Sequence, residues 1–480
     1  MTRPIRWYDY LTFNVYFLGL TTLSQTMGLV IPLLVQQFVG EAQKGTYFGI
    51  YRLWTLMVAL LAQALFGLLS DRSRLKWGRR RPFIFTGTLL DLVFIVLIGF
   101  TAGMQGLNGF WVLFGIAILL QVSSNMAHAA EQGVIPDLVP EEKRGRFSGV
   151  KAMLELPVPL ILVSFTVGKM VSQGNMWGGL GVGMAVIVLV MLLSMLIPEK
   201  RSEEALPALD WKPFLRLGVM TLVFTLIILG SGQVVQLFSK LLDPASSPTM
   251  LFITMGLFGL LGMAIAVGVG VWLSVQAGIG EAAKKNPSFT WWVVNRLAFL
   301  VGATNLSTFA VYYLQGRLGY EKEKAAGPAA FLMLFVGVFI LLSALPSGWL
   351  ADKFGKKRMV ALSGLIAAVG TLVAILVPSL PVIYTGGVII GLATGLFFAS
   401  NWALGTVLVP KEEAGRYLGI SNLAGAGAGA VGAYIGGPIA DYFTVNVPSV
   451  PGLGYILLFA IYGVMFLLSV LALTGVRENK

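Results

Sequence analysis

Fourteen runs of about 20 or more mostly apolar residues, separated by short polar segments, decide what this chain can become. They lie near 11–38, 46–70, 83–103, 110–135, 147–170, 177–197, 217–242, 249–275, 290–314, 325–350, 359–378, 381–406, 415–443 and 453–475. In lipid a backbone has only its own N–H and C=O groups to bond, so each run reads as a spanning helix. With 56% hydrophobic and 12% charged residues and a mean hydropathy of +0.82, a chain of 480 residues cannot bury its apolar surface as a soluble protein. The expected fold class is an all-α polytopic membrane protein.

The charges sit between the runs. Gly67–Phe83 reads GLLSDRSRLKWGRRRPF: Asp71 follows one run, and Arg72, Arg74, Lys76, Arg79, Arg80 and Arg81 precede the next. The pattern returns as GWLADKFGKKR over Gly348–Arg358, with the Gly four residues before the Asp in both copies. A second pair, VPEEKRGRFSGV from Val139 and VPKEEAGRYLGI from Val409, repeats in the same order. One half of the chain therefore duplicates the other, and the runs divide six, two, six. We expect a six-helix bundle over 1–197, a linker with two additional spans over 198–289, and a second six-helix bundle over 290–480. With the N-terminus inside, Lys and Arg favour the cytoplasmic segments by roughly four to one. That places both termini and the charged loops in the cytoplasm; the expected setting is the plasma (inner) membrane, and the expected state a monomer. The net charge of +12 is then a topology signal, and no nucleic-acid partner is expected.

These loops resemble those of the major facilitator superfamily of transporters. Its signature is a Gly-x-x-x-Asp-Arg/Lys loop between the second and third spans, repeated between the eighth and ninth. The resemblance covers nearly the whole chain. SDR followed by GRRRPFI looks like the sucrose-transporter (glycoside/cation symporter-like) branch in particular. That branch has twelve spans, two fewer than this chain, and superfamily members with fourteen place the extra pair between the bundles, as here. The resemblance implies alternating access, with one bundle rocking against the other around a midplane site. It also implies a gating role for Gly67, Asp71, Arg72, Gly78 and Arg79, and for Gly348, Asp352, Gly355 and Lys356. Arg146 and Arg416 hold equivalent repeat positions and are natural partners of the loop acids. The sucrose-transporter likeness suggests a functional acid at the cytoplasmic end of the fourth span, which is Asp137 here.

Ionisable and polar residues inside the runs are the candidates for chemistry, because each is costly in hydrocarbon. The fourth run carries Gln121, Ser124, Asn125, His128, Glu131 and Gln132, whose three- and four-residue offsets place them on one stripe. Such a stripe lines a cavity or forms an interhelical polar network. Asp91, Glu131 and Glu155, the sole His128, and Arg296 all fall in the inner half of the membrane, about one to two turns apart in depth. They form either a proton-carrying constellation, with Glu131 first, or a structural salt-bridge network. Candidate substrate contacts are Gln25, Gln121, Asn125, Asn305, Asn401 and Arg296. Trp402, beside Asn401, is placed for stacking on a sugar face or for packing. No phosphate loop, metal-ligand cluster or nucleophile triad is present, and cysteine is absent, so neither an enzyme nor a cofactor or metal is expected.

The expected function is secondary active transport, a proton-coupled symport of a small polar solute such as a sugar or glycoside. The partners are that solute, H+ and the bilayer. Two alternatives remain: a proton-coupled exporter of drugs or organic solutes, and a non-transporting assembly or pigment-handling protein on the same fold.

Overall fold

The computed structural model describes residues 5–199, 210–280, 283, 286–409 and 414–477, with side chains 414–419 left out. Every regular element among them is helical. Thirteen spans are long and apolar enough to cross a membrane: α1 (Asp9–Val39), α2 (Lys44–Asp71), α3 (Arg81–Thr101), α4 (Gly106–Leu138), α5 (Glu141–Ser172), α6 (Met176–Ser194), α7 (Lys212–Leu241), α8 (Pro248–Ile279), α10 (Glu323–Phe354), α11 (Lys356–Leu376), α12 (Leu380–Leu408), α13 (Ile420–Asn446) and α14 (Leu453–Gly475). The remaining span, α9, is a bent pair, Pro287–Thr308 and Ala310–Leu318, and completes the expected fourteen. On the expected six, two, six division α7 and α8 are the inserted pair, which makes α9, α12 and α13 the first, fourth and fifth spans of the second bundle.

Helix starts carry local signals. Asn175, Ser247 and Asn286 cap α6, α8 and α9 by accepting the N–H groups of Gly178, Met250 and Phe289. Pro248, Pro287 and Pro381 occupy first-turn positions, where the missing N–H costs nothing. The two loop copies each turn at a glycine with positive φ, Gly78 at 112° and Gly355 at 97°, a conformation that side-chain-bearing residues resist.

The bend in α9 was not apparent from its apolar run. The halves meet at Phe309 at an angle of 61°, with no Pro or Gly in the turn before it. Thr304, Asn305 and Thr308 instead donate side-chain hydrogen bonds to the carbonyls four residues back, at 2.6, 2.9 and 2.9 Å. Competition of this kind for helix carbonyls bends helices.

The chain divides into two compact units. One runs to Phe38 and from Val58 to Phe214; the other comprises Val39–Met57 and Leu215–Lys480. The inserted pair thus clusters with the second half, and α2 is divided at its middle. In the first unit α3 packs on α4 and α6. A cluster of Phe13, Val134, Val139, Phe147 and Ile197 closes the end that bears the basic loop, with Tyr10 stacked on Phe147 at 4.3 Å.

Glycine spacing shapes the second unit. Gly387, Gly391 and Gly395 stand four apart on α12, and a Cβ at each would strike Leu332, Val336 or Ile340 of α10. Their absence lets the helices approach closely. On α13, Gly427 and Gly436 receive Phe224 and Leu458 in the same way, and Gly432 receives Asn305. Phe224 of α7 also fills the space over Gly270 of α8, so the inserted pair is keyed into α13. With 89% of its window buried, α13 is covered on all sides rather than set against lipid.

The N-terminal half of α2 is held within this unit by backbone contact. Gly45 and Gly437 are so close that a Cβ on Gly437 would lie 2.0 Å from the Gly45 carbonyl oxygen. Asp441, 5% exposed, accepts the N–H groups of Gly45 at 2.9 Å and Thr46 at 2.7 Å, so one helix supplies the N-terminal cap of another. Lys44 donates to Gln315 at 2.8 Å, pairs with Glu41 at 2.7 Å and lies over the Tyr312 ring. Gly437→Ala should force α2 and α13 apart, costing about 1–3 kcal/mol and lowering the Tm of the purified protein. Gly425→Ala, where a Cβ meets nothing, serves as the control; equal Tm values in the two variants would refute the close-contact account.

Candidate functional site

In the first unit the polar stripe of α4 is real but narrower than expected. Gln121, Asn125 and His128 are half-buried and Gln132 is exposed. Asn125 Nδ2 bonds the Gln121 carbonyl at 2.8 Å, and His128 Nε2 meets Gln132 Nε2 at 2.9 Å. Phe17 of α1 stands edge-on to the His128 ring, and Lys151 of α5 lies 4.1 Å over the Phe17 ring.

Glu131 departs from that stripe. It is wholly buried, and neither carboxylate oxygen has a hydrogen-bond partner among the described residues. Lys151 and Glu199 are the charged groups within electrostatic range of it. Asp91 is also fully buried; one oxygen accepts from Ser123 Oγ and the other has no partner. Nearby, Tyr16 and Thr88 share a 2.6 Å hydroxyl bond. Glu155, by contrast, is 41% exposed and paired with Lys151 at 3.7 Å.

At the loop end of this unit the centre is Arg80. Its side chain is 5% exposed and spans the carboxylates of Asp71 and Asp137 (2.8 Å to the latter), with Nη1 on Ser70 Oγ at 2.6 Å. Glu199 accepts the backbone N–H groups of Arg80 and Arg81 and so caps α3. Arg81 reaches the Met195 carbonyl at the end of α6 at 2.8 Å. Gly133 leaves room for all this, since a Cβ there would stand 2.3 Å from Arg80 Cζ.

In the second unit Arg296 of α9 donates from Nη1 to Asn401 Oδ1 of α12 at 2.9 Å. Asn401 Nδ2 donates to Asn295 Oδ1 at 2.9 Å, and Asn295 Nδ2 donates to the Ser469 carbonyl at 2.8 Å. Trp292 Nε1 bonds the Asn401 carbonyl, and the Arg296 guanidinium sits 5.9 Å from the Trp292 ring centre. A chain of amides thus fixes one arginine, half-buried, on the open face of α9.

A family model described as Major Facilitator Superfamily matches residues 10–316 and 297–480. The chain belongs to the Major Facilitator Superfamily. Its helices make it a multi-pass membrane protein. A minor myo-inositol transporter of Bacillus subtilis is 34% identical over 90 residues, 19% of this chain and 20% of that one. A sucrose transport protein of Oryza sativa subsp. japonica is 48% identical over 46 residues, 10% of this chain and 9% of that one. The chain thus matches about a fifth or less of the length of these curated relatives. Among solved structures, a D-xylose-proton symporter superposes with a TM-score of 0.65 at 16% identity, covering 99% of both chains. A peptide transporter solved with sulfate gives 0.66 at 15% identity, covering 98% of this chain and 96% of that one.

The expected residues fall in both units. Asp91, Glu131 and Glu155 belong to the first unit and Arg296 to the second; within the first, Lys151 pairs with Glu155 and acts electrostatically on Glu131, and Tyr16 is in range of both Asp91 and Glu131. Asn401 and Asn305 are fully buried. Asn401 is occupied in holding Arg296, and Asn305 Nδ2 bonds the carbonyls of Val301 and Ala428. Trp402 is 47% exposed. Gln25 is half-buried on α1. Of the loop residues, Asp71 pairs with Arg80 and with Arg79 at 3.7 Å, and Gly78 supplies the turn. Arg146 is exposed, with no ion pair among the described residues, and the side chain of Arg416 lies outside them. In the second copy Asp352 is exposed, Lys356 is half-buried, a Cβ at Gly348 would meet nothing, and Gly355 turns the chain.

Sequence reasoning missed Lys151, Glu199 and the central place of Arg80. Lys151 carried a signal in its four-residue spacing from Glu155, but Glu199 carried none beyond its place at the end of a run. Arg80→Ala should cost about 1–3 kcal/mol, read as a lower Tm, because two carboxylates and the Ser70 hydroxyl lose their donor. Arg146→Ala should leave Tm within about 0.5 kcal/mol of wild type; equal losses in both would show that the cluster does not hold the loop.

Proposed function

We propose that the chain is a proton-coupled symporter of a small polar solute of sugar size, working by alternating access with Glu131 as its main proton carrier. One observation carries this: a glutamate on the polar span α4, 0% exposed, with both oxygens unpartnered. An isolated buried carboxylate is costly as an anion. Such a group is suited to hold a proton while sealed from water and to release it when wetted. Lys151, already shared with Glu155, is the cation able to favour the released state. Asp91, with one free oxygen, is the second carrier.

The solute class is supported by the short stretches of likeness to inositol and sucrose transporters and by hydroxyl-bonding groups on the open faces of α4 and α9. The proposed setting is the plasma (inner) membrane, as a monomer with the charged loops and both termini in the cytoplasm, as the distribution of basic residues favours.

Glu131→Gln should abolish uptake driven by a pH gradient in proteoliposomes while solute exchange at equal pH remains measurable. Uptake by that variant that still follows the pH gradient would remove Glu131 from the coupling role. Topology is checked separately. The chain has no native cysteine, so single cysteines at the exposed Lys76 and Lys353 can be labelled in intact cells. Both should be protected until the membrane is opened, and labelling of either one from outside would reverse the orientation.

A further inference from the structure

The second unit holds two arginines at membrane depth that no carboxylate among the described residues neutralises. Arg296 uses one of the five donors of a guanidinium, on a neutral amide oxygen, and its Nε is buried without a partner. Arg52, on the N-terminal half of α2, makes no side-chain hydrogen bond or ion pair among the described residues, and its Nε is likewise buried and unpartnered. The acids of this unit near membrane depth are engaged elsewhere. Asp441 takes the N–H groups of Gly45 and Thr46, and Glu41 takes Lys44.

The arginines share one face. Half-buried positions in the middle and far part of α9 are Arg296, Ala303, Thr304, Ser307 and Thr308, at helical spacing and, beyond Arg296, all small. Arg52 lies beside the Thr304 level of this strip: its Nη2 is 3.4 Å, and Thr304 Oγ1 4.0 Å, from the point a Cβ of Gly429 would occupy. Thr304 is eight residues beyond Arg296, about 12 Å along the helix. The two guanidiniums thus stand at levels of α9 separated by about the length of a sugar of one or two rings, with small and hydroxyl-bearing residues along the strip.

An unpaired guanidinium is costly in a membrane interior, and its fork of donors matches carboxylate and phosphate oxygens. We propose that the transported solute is an anion, a sugar-sized molecule bearing a carboxylate or phosphate, whose acidic group is held by Arg296 with Arg52 facing its other end. This rests on the reading of the chain as a proton-coupled symporter and names its substrate class. One proton carried with one monoanion moves no net charge, so the electrical signature differs from that of a neutral sugar.

The test measures uptake of D-glucuronate, D-glucose 6-phosphate and D-glucose into proteoliposomes of the full chain, under a pH gradient or a potassium diffusion potential. The expected result is uptake of an acidic sugar and not of glucose; for glucuronate the pH gradient drives it and the diffusion potential alone does not. The glucuronate and phosphate arms tell which acid is taken. Arg296→Gln should reduce that uptake tenfold or more, and Arg296→Lys less. Asn401→Asp gives Arg296 an internal counter-charge, so it should raise the Tm of the substrate-free protein while abolishing the Tm shift caused by the acidic sugar. Uptake of glucose alone, driven by either gradient, would overturn this inference and leave the symporter reading standing. No uptake of any of the three would overturn both. An acidic-sugar Tm shift that survives in Asn401→Asp would show that Arg296 is not the seat. If Arg296→Gln regains wild-type Tm only together with Glu131→Gln, the counter-charge is a carboxylate of the protein and the inference falls.

Discussion

A charged side chain stays in a membrane interior only where something supplies its counter-group, and that rule sorts this molecule into fixed and working parts. Arg80 is the fixed extreme: two carboxylates and a hydroxyl take its donors, and the glycine beside it is small enough to let it in. Asp441 is its anionic counterpart, held by two backbone N–H groups at a helix start. Glu131, one oxygen of Asp91, and the Nε atoms of Arg52 and Arg296 are left without partners. Since buried polar groups are generally satisfied, these gaps are where a proton or a solute group can enter. Arg296 shows both tendencies, because a chain of three amide hydrogen bonds holds it in place while most of its donors stay open.

The packing that surrounds these sites depends on missing side chains. Apolar attraction between helices is weak in lipid, so contact is gained by bringing backbones close. Gly387, Gly391 and Gly395 do this for α12 against α10, and the glycines of α13 do it on several faces. The inserted pair extends the same device, with Phe224 seated between Gly270 and Gly427. Its role in the structure is therefore to cover α13, whose small residues would otherwise leave a grooved helix facing lipid.

The helical class and the spans were legible because hydropathy in a membrane chain is a strong, local signal. Asp71, Asp137 and Gly78 were legible as a loop device because they sit in repeated stretches. Three features were not. The bend of α9 follows from side-chain hydrogen bonds of Thr304, Asn305 and Thr308 to their own helix, which an apolar run conceals. The burial of Asn401 could not be seen, because an amide that binds a solute and one that holds an arginine look alike in sequence. Glu131 shared the spacing of the polar stripe, yet rotation of the helix hides it while exposing Gln132, and that difference decides which of the two can trap a proton.

The two loop copies show how a duplicated element can lose half its function. Aligning VPEEKRGRFSGV with VPKEEAGRYLGI puts Val407 where the first half has Asp137, and aligning the loops puts Lys357 where it has Arg80. The second copy thus lacks one of the carboxylates and the planar donor that could bridge two of them. Lys357 instead bonds the Val476 carbonyl at the end of α14 at 2.6 Å, as Arg81 bonds the Met195 carbonyl at the end of α6. Both halves keep the tie from the loop to the last helix of their bundle. Among the described residues only the first keeps a charge cluster, because Val407, 50% exposed, suits an apolar surface and cannot hold a cation. A conformational switch built on breaking and remaking ion pairs has its parts in the loop around Asp71, where Arg80 bridges Asp71 and Asp137.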